Sequence, residues 1–371
     1  MTERVVMLAA GGTAGHLFPA FALAEELGRR GQVVDLVTDM RGDRYGTGFP
    51  ARAVHQVPSA TLGGRSPGAI ARTAIELAKG LGVAHRLLGR VRPHAVVGFG
   101  GYPTFPPLLA ASLRRIPTAI HEQNAVLGRA NRMLAKRVTA IATSFERTRF
   151  LDGPLLAKSR LTGNPVRTTV IDWSQRHYRV PEAGEPFHLL VFGGSQGARV
   201  FSDIVPPALI GLPEAERRRL RLVQQCRDED LERVRAAYAG AGITAELASF
   251  FTNLPERMAG THLVIGRAGA STVAEIAVLG RPAVLVPLPH ALDNDQLQNA
   301  TRLAESGGAW CMPQGELTSE LLMAHILKLM QEPERLGTAA AAAKAQGRPD
   351  AVLRLADLVE ELTGERPKRK A

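Results

Sequence analysis

The sequence predicts an α/β protein built from two doubly wound parallel-sheet domains. Short apolar runs alternate with longer amphipathic segments, the alternation restarts once near residue 188, and each series opens on the same glycine turn. Val5–Ala10, Val33–Thr38, Ala95–Phe99, Thr118–His121 and Ala140–Thr143 read as strands of the first series. His188–Phe192, Leu222–Cys226, Ile243–Ala248, Leu263–Gly266 and Ala283–Val286 read as the second. Between them lie Thr162–Val166 and the polar stretch 172–186, which place the junction at 165/166 and give domains of residues 1–165 and 166–371. The repeated turn is GG-x-x-G, at Gly11–Gly15 and again at Gly193–Gly197, each between an apolar strand and a helix. Asp350–Leu362 has the spacing of a helix, with Val352, Leu355, Leu358, Val359 and Leu362 on one face. The basic run 366–371 reads as a solvated tail.

Length and composition narrow the class. The 371 residues suffice for two cores, and 45% of them are hydrophobic. Cys226 and Cys311 are isolated, which excludes a disulfide framework or zinc module and fits a reducing compartment. The apolar run at Val5–Ala10 is too short for the core of a signal peptide, and no stretch approaches the roughly 20 apolar residues of a membrane-spanning helix. The net charge of +11 is one-sided: residues 1–165 hold 22 Lys/Arg against 10 Asp/Glu, and the remainder 24 against 25. A basic half suits an anionic partner such as a phosphorylated substrate or lipid surface; it is equally the mark of an arginine-rich proteome.

The polar and glycine-rich segments after the strands carry the chemistry. Gly11–His16 should wrap a helix N-terminus around an anion, since glycine lets backbone N–H groups approach closely and the helix dipole is positive there. The spacing is neither GxGxxG nor a Walker loop. His16 follows the turn, as a packing residue or as an imidazole placed for proton transfer. Gly98–Pro107 is a second glycine turn. His121–Asn124, four polar residues after a strand, are expected outside the core, with Glu122 and Asn124 reaching the crevice where strand order reverses. Arg167 lies at the junction, within reach of a phosphate. In the second half, Gly193–Gly197 offers the Ser195 hydroxyl, Gly266–Glu275 runs from a strand into a helix beginning near Ser271, and Glu275 could accept from a ribose diol. His290–Gln296 presents a row of amides and carboxylates suited to sugar hydroxyls. Asp228–Asp230 and Asp293–Asp295 are acidic clusters, the first read as a solvated helix start and the second as part of the sugar-binding stretch; no metal is expected at either.

Taken in order, GGTxGH, GGYP, HEQN, GNPVR, GGSQGA, GxxTVxE and DNxQ resemble the bacterial N-acetylglucosaminyltransferases that complete the peptidoglycan lipid precursor, over most of the chain from Gly11 to Gln296. The resemblance implies two Rossmann-like domains facing across a cleft, with a C-terminal helix free to pack back on the N-terminal domain. It implies inverting transfer of N-acetylglucosamine from UDP-N-acetylglucosamine to undecaprenyl-pyrophosphoryl-N-acetylmuramyl-pentapeptide, without a cofactor or metal. It places Thr13, Ala14 and Gly15 near the transferred sugar and acceptor pyrophosphate, and Asn124 on the sugar. Arg167 and Ser195 fall on the donor phosphates and Phe251 at the uracil. Ala270, Ser271, Thr272, Val273, Ala274 and Glu275 fall on the nucleotide, with Glu275 on the ribose, and Gln296 on the N-acetylglucosamine hydroxyls. Two departures stand out: Ala14 occupies a position that is glycine in many relatives, and the 101–107 turn is proline-rich, which removes N–H donors.

For the attacking hydroxyl the expected base is His16, with Glu122 second. The acceptor's lipid calls for peripheral contact with the cytoplasmic face of the inner membrane. The segment 68–93 is the expected contact, where Ile70, Ile75, Leu77, Leu81, Leu87 and Leu88 alternate with Arg72, Lys79, Arg86, Arg90 and Arg92. An ordinary core helix with a basic outer face fits the same pattern. Rival readings are a UDP-N-acetylglucosamine epimerase or diacylglycerol glycosyltransferase, a nicotinamide dehydrogenase using Asp35 or Asp39, and a nucleic-acid binder. The dehydrogenase lacks its GxGxxG fingerprint, and no nucleic-acid partner is expected from a chain with 5% aromatics and no recognised binding motif.

Overall fold

The computed structural model describes residues 4–11, 14–39, 48–59, 66–194 and 197–364. The chain divides into two compact units, residues 1–167 with 348–371, and residues 168–347.

The first unit holds a seven-stranded parallel sheet in the order β3-β2-β1-β4-β5-β6-β7. Its strands are β1 (Val5–Ala9), β2 (Val33–Thr38), β3 (Ala53–Gln56), β4 (Ala95–Gly98), β5 (Thr118–Glu122), β6 (Ala140–Thr143) and β7 (Ser159–Leu161). Helices α1 (Ala14–Arg29), α2 (Pro67–Val91), α3 (Phe105–Leu113) and α4 (Arg129–Ala135) form the crossovers. Both faces of the sheet are covered, so β1 is apolar throughout: Val6 and Leu8 enter one core cluster and Met7 and Ala9 the other. On the second face α2 lies close against its neighbours. A Cβ at Gly80 would stand 2.1 Å from the Pro58 carbonyl oxygen, so only glycine fits the contact.

The second unit repeats the plan with six parallel strands in the order β10-β9-β8-β11-β12-β13. They are β8 (Phe187–Phe192), β9 (Leu220–Gln225), β10 (Ala245–Ala248), β11 (Leu263–Gly266), β12 (Ala283–Leu285) and β13 (Ala309–Cys311). Its helices are α5 (Thr168–Trp173), α6 (Arg199–Ile210), α7 (Glu214–Arg219), α8 (Leu231–Gly240), α9 (Leu254–Ala259), α10 (Ala270–Leu279), α11 (Asp295–Glu305), α12 (Ser319–Gln331) and α13 (Glu334–Gln346). The chain then returns to the first unit as α14 (Ala351–Leu362), which a single cut at 165/166 assigns to the second.

The return is held by shape and charge together. Leu355, Ala356 and Val359 of α14 are fully buried in the α1 face of the core, each large side chain contributing about 1.5–3 kcal/mol. Beside them the Arg30 guanidinium donates to Glu26 at 2.8 Å, Asp357 at 2.7 Å and Glu360 at 2.9 Å. Glu26 and Glu360 are buried, and Arg30 gives both a counter-charge, with Arg29 on the second oxygen of Glu26 at 2.7 Å.

Three strands lie outside the sequence expectation: β3, β7 and β13. All are short and lie at sheet edges, where one flank faces no partner and an apolar run is not required.

Candidate functional site

In each sheet the strand order reverses once, between β1 and β4 in the first unit and between β8 and β11 in the second. Ligands of doubly wound sheets bind beyond the carboxyl ends of the strands at that reversal. The register puts the motif turns at both reversals. Ala9 pairs with Gly98, so the turns leaving β1 and β4 start side by side. Phe192 pairs with Gly266, which does the same for the turns leaving β8 and β11.

In the first unit the two turns meet through His16. Gly100 (φ 87°) and Gly101 (φ 74°) take left-handed backbone, and the imidazole lies across them. A Cβ on Gly100 would stand 3.3 Å from its Cε1, and one on Gly101 3.4 Å from its Cδ2. Nδ1 is enclosed and has no partner at hydrogen-bonding geometry. Burial pushes the His16 pKa below its usual value, and the nearby Gln123 amide and Phe99 carbonyl oppose this without reversing it. The ring is therefore neutral at pH 7. Gly15 is exposed on the first turn of α1. Thr13 and the side chain of Ala14 lie outside the described residues.

His121–Gln123 depart from expectation. All three are buried, because each finds partners inside the unit. His121 donates from Nε2 to the Gly163 carbonyl at 2.9 Å and accepts at Nδ1 from Gln123 at 3.1 Å, while the other Gln123 N–H goes to the Phe99 carbonyl at 2.9 Å. That pattern fixes the neutral tautomer, and burial pulls the His121 pKa down to about 4. Glu122 accepts at Oε1 from the Asn124 N–H (3.0 Å) and carboxamide (3.3 Å), and at Oε2 from the Gly128 N–H and the Asn131 carboxamide, both 2.8 Å. Burial raises its pKa against these four donors. As the alternative base Glu122 is poorly placed: its oxygens bind the 124–131 loop and the start of α4. What they deliver is Asn124, half-buried at the carboxyl edge of β5. Arg167 closes the unit, its guanidinium 6.0 Å from the centre of the exposed Phe18 ring.

In the second unit the turn after β8 is shaped by glycine at two points. A Cβ on Gly193 would stand 2.3 Å from the Ala198 nitrogen, and Gly197 has φ 67°. Ser195 lies outside the described residues. The turn after β11 leads through Gly269 into α10, beginning at Ala270, so Ala270, Ser271 and Thr272 form the first turn at the positive end of the dipole. Val273, Ala274 and Glu275 follow; Glu275 is 7% exposed. Asn299, fully buried on α11, donates to the Ala268 carbonyl at 3.1 Å and holds this turn. Arg267 braces the next loop through the Val286 and Pro287 carbonyls, both at 3.1 Å.

Gln296 sits on the first turn of α11, and its Oε1 accepts from the Leu288 N–H at 3.0 Å. Before it, His290, Asp293 and Asn294 take left-handed φ of 56–59°, which makes the 287–296 segment a sharply folded loop. Phe251 is 9% exposed with the Arg257 guanidinium 4.5 Å over its ring. The acidic cluster at Asp228–Asp230 is corrected at one residue: Asp228 and Glu229 are exposed, but Asp230 is buried and paired with Arg233 at 2.7 Å.

Asn131, Gln225 and Asn299 carry framework roles that the motifs did not announce, and Gln123 one that its HEQN motif left unassigned. Their signal was available as amides at the ends of strands or inside helices, a pattern too common to read alone.

Comparison with known proteins agrees with this layout. Residues 6–143 match the glycosyltransferase family 28 N-terminal domain, and residues 188–355 the glycosyltransferase family 28 C-terminal domain. A curated protein of Mesorhizobium japonicum is 52% identical over 369 residues, covering 99% of this chain and 97% of its own. Its counterpart in Rhodospirillum centenum is 55% identical over 359 residues, covering 97% and 94%. Both are named UDP-N-acetylglucosamine–N-acetylmuramyl-(pentapeptide) pyrophosphoryl-undecaprenol N-acetylglucosamine transferase. The crystal structure of Acinetobacter baumannii MurG superposes with a TM-score of 0.81 at 30% identity, covering 96% of this chain and 99% of that one. The chain belongs to this family of peptidoglycan-precursor N-acetylglucosaminyltransferases, with the two glycosyltransferase family 28 domains that mark it.

Proposed function

We infer that this chain transfers N-acetylglucosamine from UDP-N-acetylglucosamine to the lipid-linked N-acetylmuramyl-pentapeptide of peptidoglycan synthesis. The observation that carries the reading is end-to-end identity of 52% to a relative named for that reaction. The second unit takes the nucleotide sugar. Turns after β8 and β11 direct N–H groups to the diphosphate, Ser195 adds a donor, and Phe251 meets the base. Ala270–Glu275 bind the nucleotide with Glu275 on the ribose, and Gln296 takes the sugar hydroxyls. The first unit takes the acceptor at Thr13–Gly15, with Asn124 toward the transferred sugar. A helix N-terminus stabilises negative charge as the leaving diphosphate forms.

Transfer proceeds with inversion. The acceptor hydroxyl oxygen bonds to the anomeric carbon as the carbon–oxygen bond to the diphosphate breaks; the electron pair leaves with UDP and the hydroxyl proton passes to His16. The neutral ring across Gly100 and Gly101 supports His16 over Glu122, whose oxygens are already engaged.

The first unit is the basic one, with 29 Lys/Arg against 15 Asp/Glu, where the second has 17 against 20. Among the described residues no helix is long and apolar enough to cross a membrane. Peripheral attachment at the cytoplasmic face therefore rests on α2. Leu81, Leu87 and Leu88 face the core and the Ile70 side chain lies outside the described residues; Ile75, 56% exposed, and half-buried Leu77 between exposed Arg72 and Lys79 form the described part of the contact.

The test is transfer of radiolabel from UDP-N-acetylglucosamine to the lipid-linked muramyl-pentapeptide. Labelled lipid product is expected; a protein that binds UDP yet yields only epimerised nucleotide sugar sinks the assignment.

A further inference from the structure

Gln225, the last residue of β9, is 5% exposed and belongs to none of the recognised motifs. Its carboxamide makes three hydrogen bonds to backbone, all at 3.0 Å. Oε1 accepts from the Gly193 N–H, and Nε2 donates to the Gly194 carbonyl and to the Ser249 carbonyl. The first two hold the turn leaving β8. The third reaches the segment leaving β10, two residues before Phe251. A single side chain thus uses both N–H hydrogens and its oxygen to join two backbone segments that no ladder connects at that point, since β9 separates β8 from β10.

We propose that Gln225 is a positioning residue for the donor, setting the distance between the turn that grips the diphosphate and the segment that meets the base. The proposal rests on the assignment of the donor to the second unit. A nucleoside diphosphate has its base and phosphates at a spacing fixed by the ribose, so a site that holds both ends gains affinity only if its two halves are locked at the matching separation. Gly193 and Gly194 have no side chains with which to set that separation, and Gly194, at φ 88°, has open space where a Cβ would stand.

The test uses Gln225→Leu, which removes all three bonds, and Gln225→Glu, which keeps the acceptor for Gly193 and loses both donations. Calorimetry at 15 °C, with circular dichroism on the same samples to establish folding, measures UDP and uridine binding; steady-state kinetics measures KM for each substrate. UDP affinity should fall about tenfold in both variants, equivalent to about 1.4 kcal/mol. The advantage of UDP over uridine should shrink, and KM for UDP-N-acetylglucosamine should rise with KM for the lipid acceptor unchanged. A folded variant of either kind that binds UDP within twofold of the parent overturns the proposal. Equal losses for uridine and UDP also overturn it, since they assign Gln225 to the base alone. Failure of the parent protein to bind UDP would instead remove the donor assignment itself.

Discussion

The two units share one plan and arm it differently. At the reversal of the first sheet a neutral imidazole lies on glycine backbone, and behind it stand a second buried histidine, a glutamine, a buried carboxylate and an asparagine. At the reversal of the second, among the described residues, the bracing groups are backbone amides, carboxamides and one arginine. On the proposed function, one site moves a proton and the other grips charge. A duplicated sheet can thus divide acid–base work from leaving-group binding, because the strand order supplies the crevice and only the side chains after each strand set its chemistry.

The largest expected effect tests that division. His16→Ala should lower kcat by about 100- to 10,000-fold with UDP affinity unchanged. The parent rate should fall on acidification only below the usual histidine range, because the base must be neutral and burial lowers its pKa. A near-normal kcat in the variant would place proton transfer elsewhere and break the comparison. Next in size, Arg30→Ala leaves Glu360 buried without its arginine and Glu26 with Arg29 alone, a loss of about 3–5 kcal/mol from the first unit. Thermal melting should show it, while the stabilising shift that UDP gives the second unit persists. A lost UDP shift would mean the units are not energetically separate. Gly193→Ala is the converse of His16→Ala. Its methyl would stand 2.3 Å from the Ala198 nitrogen, so the turn must move, and UDP binding should weaken about 100-fold.

Much of this was legible in the sequence, for identifiable reasons. Central strands buried on both faces are largely apolar, so β1, β2, β8 and β11 announce themselves despite Asp35 and His188; edge strands such as β3, with Val54 and Gln56 exposed, do not. The glycine turns were legible because φ near +80° at Gly100, Gly101 and Gly194 admits little else. Glu122 and its neighbours were misread as solvent-facing, since a run of four polar residues predicts exposure unless its partners are known. Those partners, Phe99, Gly128, Asn131 and Gly163, come from separate segments that only the folded sheet brings together. The return of α14 to the first unit was expected from the family resemblance alone; its apolar stripe shows that it packs, not on which unit.

The smallest effect separates the units by pH. A buried neutral histidine binds its proton more weakly folded than unfolded, so the stability it allows is present above the unfolded pKa of about 6.5 and is lost as pH falls toward the folded value. His121 and His262 are both pulled down to about 4, which places the loss between pH 6.5 and 4 for each, about 2–3 kcal/mol. Their positions differ. His121 is on β5 at the carboxyl edge, hydrogen-bonded to the Gln123 that lies beside His16, and the charge each imidazole would carry disfavours the other. His262 precedes β11 and bonds the His188 N–H at 3.1 Å, at the amino edge of its sheet, away from the turns. His121→Asn should therefore flatten the acid slope of stability and also shift the acid limb of kcat, while His262→Asn should flatten the slope and leave that limb in place. Denaturant titrations and rate profiles at pH 7, 6, 5 and 4.5 read both. An identical shift of the limb in the two variants would mean that proton transfer responds to global stability rather than to the imidazole pair at the first reversal.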